Sequence, residues 1–251
     1  MKKIAVIDYG MSNLHSVNRA IEYVAGKEWQ VIVTSDPKTV EQADKIVFPG
    51  QGASGNCMAL LKEKGLDQAI IKTAHQRPFL GICLGLQTLL THSEENGGTD
   101  CFDIIKGEVK HFDTPLVDSE TKQILKVPHM GWNQVFQQQD HPLWKNIPDG
   151  SRFYFVHSYY AQPDNPEYIV GTTPYPDDFT SAMAFEHLFA VQFHPEKSQQ
   201  MGLTLLKNFL DVWTGAVLQV NATDKIDDVH RRDVAVQRLY SALKEFNIVY
   251  I

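Results

Sequence analysis

The run "RPFLGICLGLQTLL" (77–90) sets a cysteine between two glycines, Gly81 and Gly85, where apolar residues change from strand-like to helix-like spacing. Phe79, Leu80 and Ile82 read as a short buried strand, and Leu84, Leu86, Leu89 and Leu90 as the inner face of a helix beginning near Leu84. Cys83 at their junction is the thiol version of a nucleophile elbow. Such a turn pushes its central side chain out of the packed layer. Glycines two before and two after leave room for chain segments that pass too close for a Cβ. The start of the helix favours thiolate over thiol, and its free N–H groups can hold a developing oxyanion. The alternative reading is a structural cysteine buried at a strand end.

A thiol nucleophile needs a base. Among ten histidines, His194 in "LFAVQFHPE" follows an apolar strand that Pro195 stops from pairing onward, and Glu196 lies two residues further on. In extended chain, side chains at i and i+2 point the same way, so the carboxylate can accept the imidazole N–H and fix its tautomer. Ligands of open α/β sheets sit at the carboxyl ends of strands, which brings the two motifs to one rim. A third segment, "FPGQGASG" (48–55), also follows a strand. Gly50 and Gly52 let the backbone approach a ligand, an oxyanion loop in this setting, with a tight turn as the alternative. It has neither the Walker Lys-Ser/Thr nor G-x-G-x-x-G. His157 has no carboxylate at i+2 and reads as structural or interface-forming.

The elements that must carry these residues alternate in the first half. "KIAVID" (3–8), "QVIVT" (30–34), "KIVFPG" (45–50) and "FLGIC" are strands, separated by helical spacing at Leu14, Val17, Ile21 and Val24 and again near 56–75. This rhythm predicts an α/β fold with a mostly parallel central sheet flanked by helices. From about 102, short separated apolar segments predict antiparallel or mixed strands covering one edge of the same domain. An amphipathic helix over 199–213 closes the set. We expect a domain over 1–214 and a C-terminal extension over 215–251, whose Val234, Leu239, Leu243 and Phe246 have helical spacing.

Net charge of -7 and pI near 5.8 give no electrostatic footprint for nucleic acid or an anionic membrane. Three cysteines without C-x-x-C point away from a disulfide framework or zinc cage and towards a reducing, cytoplasmic setting. No run approaches a membrane span. No metal or cofactor is expected.

Taken together, "GICLGLQ", "FPGQG" and "VQFHPE" resemble the class I (triad) glutamine amidotransferases, which have a flavodoxin-like fold. "VIDYGMSNLHSV", "VPHMGWNQV" and "FYFVHSYY" narrow the likeness to the glutaminase subunits of imidazole glycerol phosphate synthase, over roughly residues 3–213. The resemblance implies that Cys83 attacks the side-chain amide of L-glutamine, that His194 moves the proton, and that Glu196 orients His194. The Leu84 N–H and an N–H of the Gly50–Gln51–Gly52 loop would hold the oxyanion, and Gln87 would help seat the substrate. Ammonia would pass to a (βα)8-barrel cyclase subunit in a heterodimer serving histidine biosynthesis. Trp132 and Asn133 are the expected partner contacts, with Asp8, Tyr9 and Asn13 at the same rim.

Two residues depart from the family pattern. Gln51 stands where an apolar residue is common, which leaves open which group holds the oxyanion, and Ser12 replaces a usual glycine. Rival readings are a glutaminase subunit of another synthase (pyridoxal phosphate or anthranilate type), a non-catalytic scaffold, and a cysteine peptidase on the same fold.

Overall fold

The N-terminal strand shows how the layers form. In β1 (Lys2–Ile7), Ile4 and Val6 enter one hydrophobic cluster while Ala5 and Ile7 enter another, so the strand is apolar on both faces and must be covered on both. The computed structural model describes residues 1–10, 14–118, 120–211 and 213. Helix α1 (Leu14–Ala25) leads to β2 (Trp29–Thr34), and α2 (Pro37–Glu41) to β3 (Lys45–Gly50). Helices α3 (Ser54–Glu63) and α4 (Leu66–Ala74) then cross to β4 (Phe79–Cys83), which runs directly into α5 (Leu84–Gln87). The single helical stretch expected near 56–75 is thus two helices, because Gly65 takes φ 66° between them.

The second half supplies two-residue strands β5 (His92–Ser93), β6 (Thr99–Asp100), β8 (Leu116–Val117) and β9 (Ile124–Leu125), and longer ones. The longer strands are β7 (Gly107–His111), β10 (His129–Gln137), β11 (Ser151–His157), β12 (Tyr159–Pro163), β13 (Ile169–Pro174), β14 (Asp178–Phe185) and β15 (Leu188–Val191). Strands β2-β1-β3-β4-β15 lie side by side in parallel, and the same sheet continues as β14-β12-β7-β5-β6. Pairing turns antiparallel at β15–β14, β14–β12 and β12–β7, as expected for an added mixed region on one edge. β10 pairs with β11 and joins the sheet through β13.

Helix α6 (Gln199–Asp211) buries Leu205, Leu206, Phe209 and Leu210 in the cluster that also holds α1 residues Val17 and Ile21. Lys45 at the start of β3 donates to the carbonyls of Phe209, Leu210 and Trp213 at 2.6, 2.9 and 2.6 Å. One buried ammonium thereby satisfies carbonyls that the helix end leaves without intrahelical donors. Among the described residues no helix is long and apolar enough to cross a membrane. Ser12, Asn13 and the 215–251 extension lie outside the described residues.

The helix expected from Leu84 through Leu90 is a single turn. Leu89 and Leu90 are buried as predicted, but their carbonyls and that of Thr88 accept from Ile104, Asp103 and Phe102 of a returning segment. Those bonds replace the ones a longer helix would make, so the elbow has local N–H groups behind it and little macrodipole.

Candidate active site

Cys83 ends β4 with φ 56° and ψ −110°, a left-handed conformation that an L-residue adopts only under constraint. The constraint is steric crowding around the turn. A Cβ on Gly85 would lie 2.0 Å from the Phe48 carbonyl oxygen, and one on Gly81 would lie 2.8 Å from the Gly85 oxygen. Both glycines are therefore required by close approach, as the spacing predicts. Register then brings the other pieces alongside. Gly50 pairs with Cys83 between β3 and β4, and Val191 pairs with Ile82 between β15 and β4. The segment Gln192–His194 therefore leaves the sheet beside the elbow.

His194 Nδ1 lies 2.8 Å from Glu196 Oε1, with side chains 2% and 1% exposed. The histidine backbone is held as well: its N–H donates to the Tyr154 carbonyl at 2.9 Å, and its carbonyl accepts from the Ser198 hydroxyl at 2.6 Å. Burial alone lowers an imidazolium's pKa, but the charge and polar contact of the Cys83 sulfur, then the Glu196 carboxylate, push His194 up to about 10. Nε2 makes no hydrogen bond of normal geometry to a described residue, so its coupling to the sulfur is chiefly Coulombic in this resting arrangement. Burial pushes the other two thiols, Cys57 and Cys101, up to about 12. Neither is a thiolate at neutral pH.

Cys83 and His194 line one cavity of about 440 Å³ with Gln51, Gly52, Leu84, Gln87, Glu95, His157, Tyr159 and Lys197. The structure thus brings together all the expected site residues on the elbow, the loop and the strand end except Gly50 and Glu196, which stand just behind the wall. The Gln51 N–H donates to the Tyr9 hydroxyl at 3.3 Å, so this loop N–H is not turned to the space beside Cys83. Gln87 Nε2 donates to the Tyr159 carbonyl at 2.8 Å and to Gln192 Oε1 at 3.0 Å. Its oxygen is left as the acceptor for a ligand. Gln192 Nε2 reaches the Cys83 sulfur at 3.6 Å.

Several expectations need correction. Tyr9, placed at the partner-facing rim, is 0% exposed and packs on Phe48 behind the loop, so it presents no surface. Trp132 and Asn133 occupy opposite faces of β10. Trp132 is 42% exposed, whereas Asn133 turns its amide inward to the Pro174 carbonyl at 2.9 Å. Asp8 is half-buried, and its carboxylate accepts from the Gly10 N–H at 2.9 Å. Sequence reasoning missed Glu95 and Gln192. Glu95 accepts from the Ser54 N–H at 2.6 Å and puts a carboxylate in the cavity wall. Gln192, a fully buried amide at i−2 from His194, had a readable signal in its polarity within the apolar run 188–193. Among the described residues no cluster of three His, Cys, Asp or Glu side chains is arranged to hold a metal ion.

Residues 5–213 match the family of class-I glutamine amidotransferases. The chain is 53% identical to imidazole glycerol phosphate synthase subunit HisH of Pseudomonas putida, over 86% of this chain and 99% of the relative. It is 54% identical, with the same coverage, to the protein so named in Pseudomonas syringae pv. syringae. A crystal structure of a glutamine amidotransferase superposes with a TM-score of 0.60 at 13% identity, over 82% of this chain and 96% of the other, and supports the fold.

Proposed function

Because the chain belongs to the class-I glutamine amidotransferases, and within them to the HisH group of imidazole glycerol phosphate synthase subunits, we propose that it is the glutaminase half of that enzyme in histidine biosynthesis. The observation that carries this reading is the elbow cysteine sharing a cavity with an imidazole whose far nitrogen is held by a buried carboxylate.

The cavity accommodates a small polar substrate, and its walls fit the ends of glutamine. The Glu95 carboxylate and the Gln87 oxygen are acceptors for the α-ammonium group. The Cys83 thiolate attacks the side-chain amide carbon, and the N–H of Leu84 helps hold the resulting oxyanion. His194, already protonated beside the sulfur, passes its proton to the departing ammonia and leaves a thioester. It then takes a proton from water as the hydroxide adds to the thioester carbonyl, the C–S bond breaks, glutamate leaves and the thiolate–imidazolium pair is restored. The Gln51 peptide must turn away from Tyr9 before its N–H can join that oxyanion hole.

The partner in this reading is a (βα)8-barrel cyclase that receives the ammonia. Its docking face is the surface around Trp132 and Met130, which are 42% and 66% exposed. Residues 1–214 form the catalytic domain, 215–251 extend it, and the complex works in the cytoplasm. The test is glutamate release by the chain assembled with its cyclase and the phosphorylated aminoimidazole-carboxamide ribonucleotide. The same mixture is then treated with a glutamine-mimicking alkylator. Glutamate release and a label on Cys83 are expected. No release from the complete mixture, or a label on Cys57 or Cys101 instead, overturns the reading.

A further inference from the structure

Two histidines, His157 in the cavity wall and His129 behind it, are joined in a way the reaction above does not use. His129 Nδ1 lies 2.9 Å from His157 Nε2, and both rings are buried. The contact follows from register, since His129 and His157 are directly paired across β10 and β11. The tautomers can be read off the ends of the chain. His157 Nδ1 sits 2.8 Å from the Tyr159 carbonyl, which only accepts, so Nδ1 carries the proton and Nε2 is the acceptor. His129 Nδ1 must then donate, which leaves its Nε2 as an acceptor. Asn133 Nδ2 supplies that donor at 3.3 Å. Asn133 has no freedom to flip, because its Oδ1 accepts from the Gln134 N–H at 2.8 Å and its Nδ2 also donates to Pro174.

The chain continues beyond Tyr159. The same carbonyl accepts from Gln87, Gln87 donates on to Gln192, and Gln192 Nε2 points at the Cys83 sulfur. Every amide and imidazole from Asn133 to Gln192 therefore has a single allowed orientation. The Tyr159 oxygen accepts from both sides, so no proton can travel through it. What the chain transmits is orientation.

We propose that His157, backed by His129 and Asn133, is a positioning residue for the nucleophile, fixing through the Tyr159 carbonyl which end of the Gln87 and Gln192 amides faces the cavity. With the chain intact, Gln192 offers N–H to the sulfur and Gln87 offers oxygen to a ligand. With it cut, the Tyr159 carbonyl loses the donor that anchors it two residues from His157 and can swing off Gln87, so Gln87 is free to rotate and Gln192 can present an oxygen to the thiolate. Repulsion between that oxygen and the sulfur then disfavours the reactive form. This role rests on the glutaminase reading of the same site, but the thiol's own reactivity reports it without glutamine.

The test compares His157→Phe, which keeps a buried ring but no hydrogen bond, with His157→Asn, which restores a donor near the Nδ1 position. Each is measured in the complete chain for the rate of Cys83 alkylation by iodoacetamide, resolved by residue through peptide mapping. Each is also assembled with the cyclase for kcat and KM. His157→Phe is expected to slow both alkylation and kcat/KM roughly five- to tenfold, about what one lost hydrogen bond costs, and His157→Asn to recover most of the loss. Thermal unfolding checks that each variant is folded. If His157→Phe fails to fold, His129→Phe cuts the chain one link further out, and a two- to threefold slowing is expected. Wild-type alkylation rates in whichever Phe variant folds overturn the proposal, as does equal loss in folded His157→Phe and His157→Asn. If the wild-type complex releases no glutamate, the glutaminase reading fails, while the alkylation comparison still decides the positioning role.

Discussion

His194 and the pair His129–His157 are buried alike around one cavity, yet burial leaves them in opposite states. The sulfur and the Glu196 carboxylate overcome desolvation at His194 and push it up to about 10. His129 and His157 touch amides, a carbonyl, each other and aromatic rings, and burial, with the like charge of His194 adding at His157, pushes them down to about 4 and 3. Tyr175 and Phe155 enclose His129 with ring centroids at 3.9 and 5.0 Å. The difference teaches that desolvation pushes the imidazole down in both places, and that a formal charge in contact decides whether it is overcome. In the proposed reaction the charged imidazole moves protons. The neutral ones hold geometry.

The harshest way to break the comparison is to remove the sulfur. Cys83→Ala should lower glutamate release by the assembled complex by about four orders of magnitude, since nothing else in the cavity is a nucleophile of comparable strength. It should also return His194 towards the ordinary imidazole range, read by NMR titration. A His194 that still titrates near 10 in this variant would show that Glu196 alone carries the shift. Glu196→Gln makes the complementary cut. It keeps a hydrogen-bond acceptor but removes the charge, and an approximately hundredfold loss of kcat/KM is expected from a misoriented, less basic imidazole. Undiminished turnover would mean that Tyr154 and Ser198, which grip the His194 backbone, suffice to position it.

Much of the charged region was legible in the sequence, because its rules are local. The two glycines are dictated by chain segments closer than a Cβ allows, and the i, i+2 spacing of His194 and Glu196 is dictated by extended backbone. The neutral region was not legible. His129 and His157 meet only through strand register, and Asn133 and Trp132 diverge because side chains alternate across β10. The parallel sheet was readable from its apolar strands, whereas the early end of α5 depends on carbonyls claimed by residues 102–104. Tyr9 was misplaced for a related reason: its position after β1 fixed the rim, but not which way the ring would turn.

A smaller effect sharpens the same contrast through acid stability. The pKa of His129, His141 and His157 is pushed down to about 4, 3 and 3 by burial. Below the unfolded value near 6.5, the unfolded chain binds protons that the folded chain refuses, so stability falls as pH drops from about 6.5 towards 4. His141→Phe removes one such group away from the cavity. Between pH 7 and pH 5, urea unfolding of this variant should lose about 1–2 kcal/mol less stability than the wild type. Equal losses would mean that His141 already takes up a proton in the folded chain. His194 has the opposite sign: its contribution is full below about 6.5 and is lost progressively as pH rises from there through about 10.

The smallest expected effect concerns a neutral group that holds the loop opposite the charged pair. Tyr9 is fully buried, and burial pushes its phenol above the ordinary range, so its oxygen is an uncharged acceptor at any physiological pH. That oxygen takes the Gln51 N–H at 3.3 Å, a long bond whose loss costs little in itself. Tyr9→Phe preserves the edge-on packing against Phe48, with centroids 6.1 Å apart, and removes the hydroxyl, taking away the Gln51 acceptor together with its contact to the buried Cys57 thiol. The Gln51 peptide then gains more by turning its N–H towards an oxyanion beside Cys83 than by staying where it is. Glutamate release without the cyclase should rise about threefold, while the rate in the full complex, in which the proposed mechanism has the loop turned, should stay the same. A fall in the unassisted rate would reverse the assignment: the hydroxyl would then hold the loop in its working shape, as the neutral imidazoles hold the amides across the cavity.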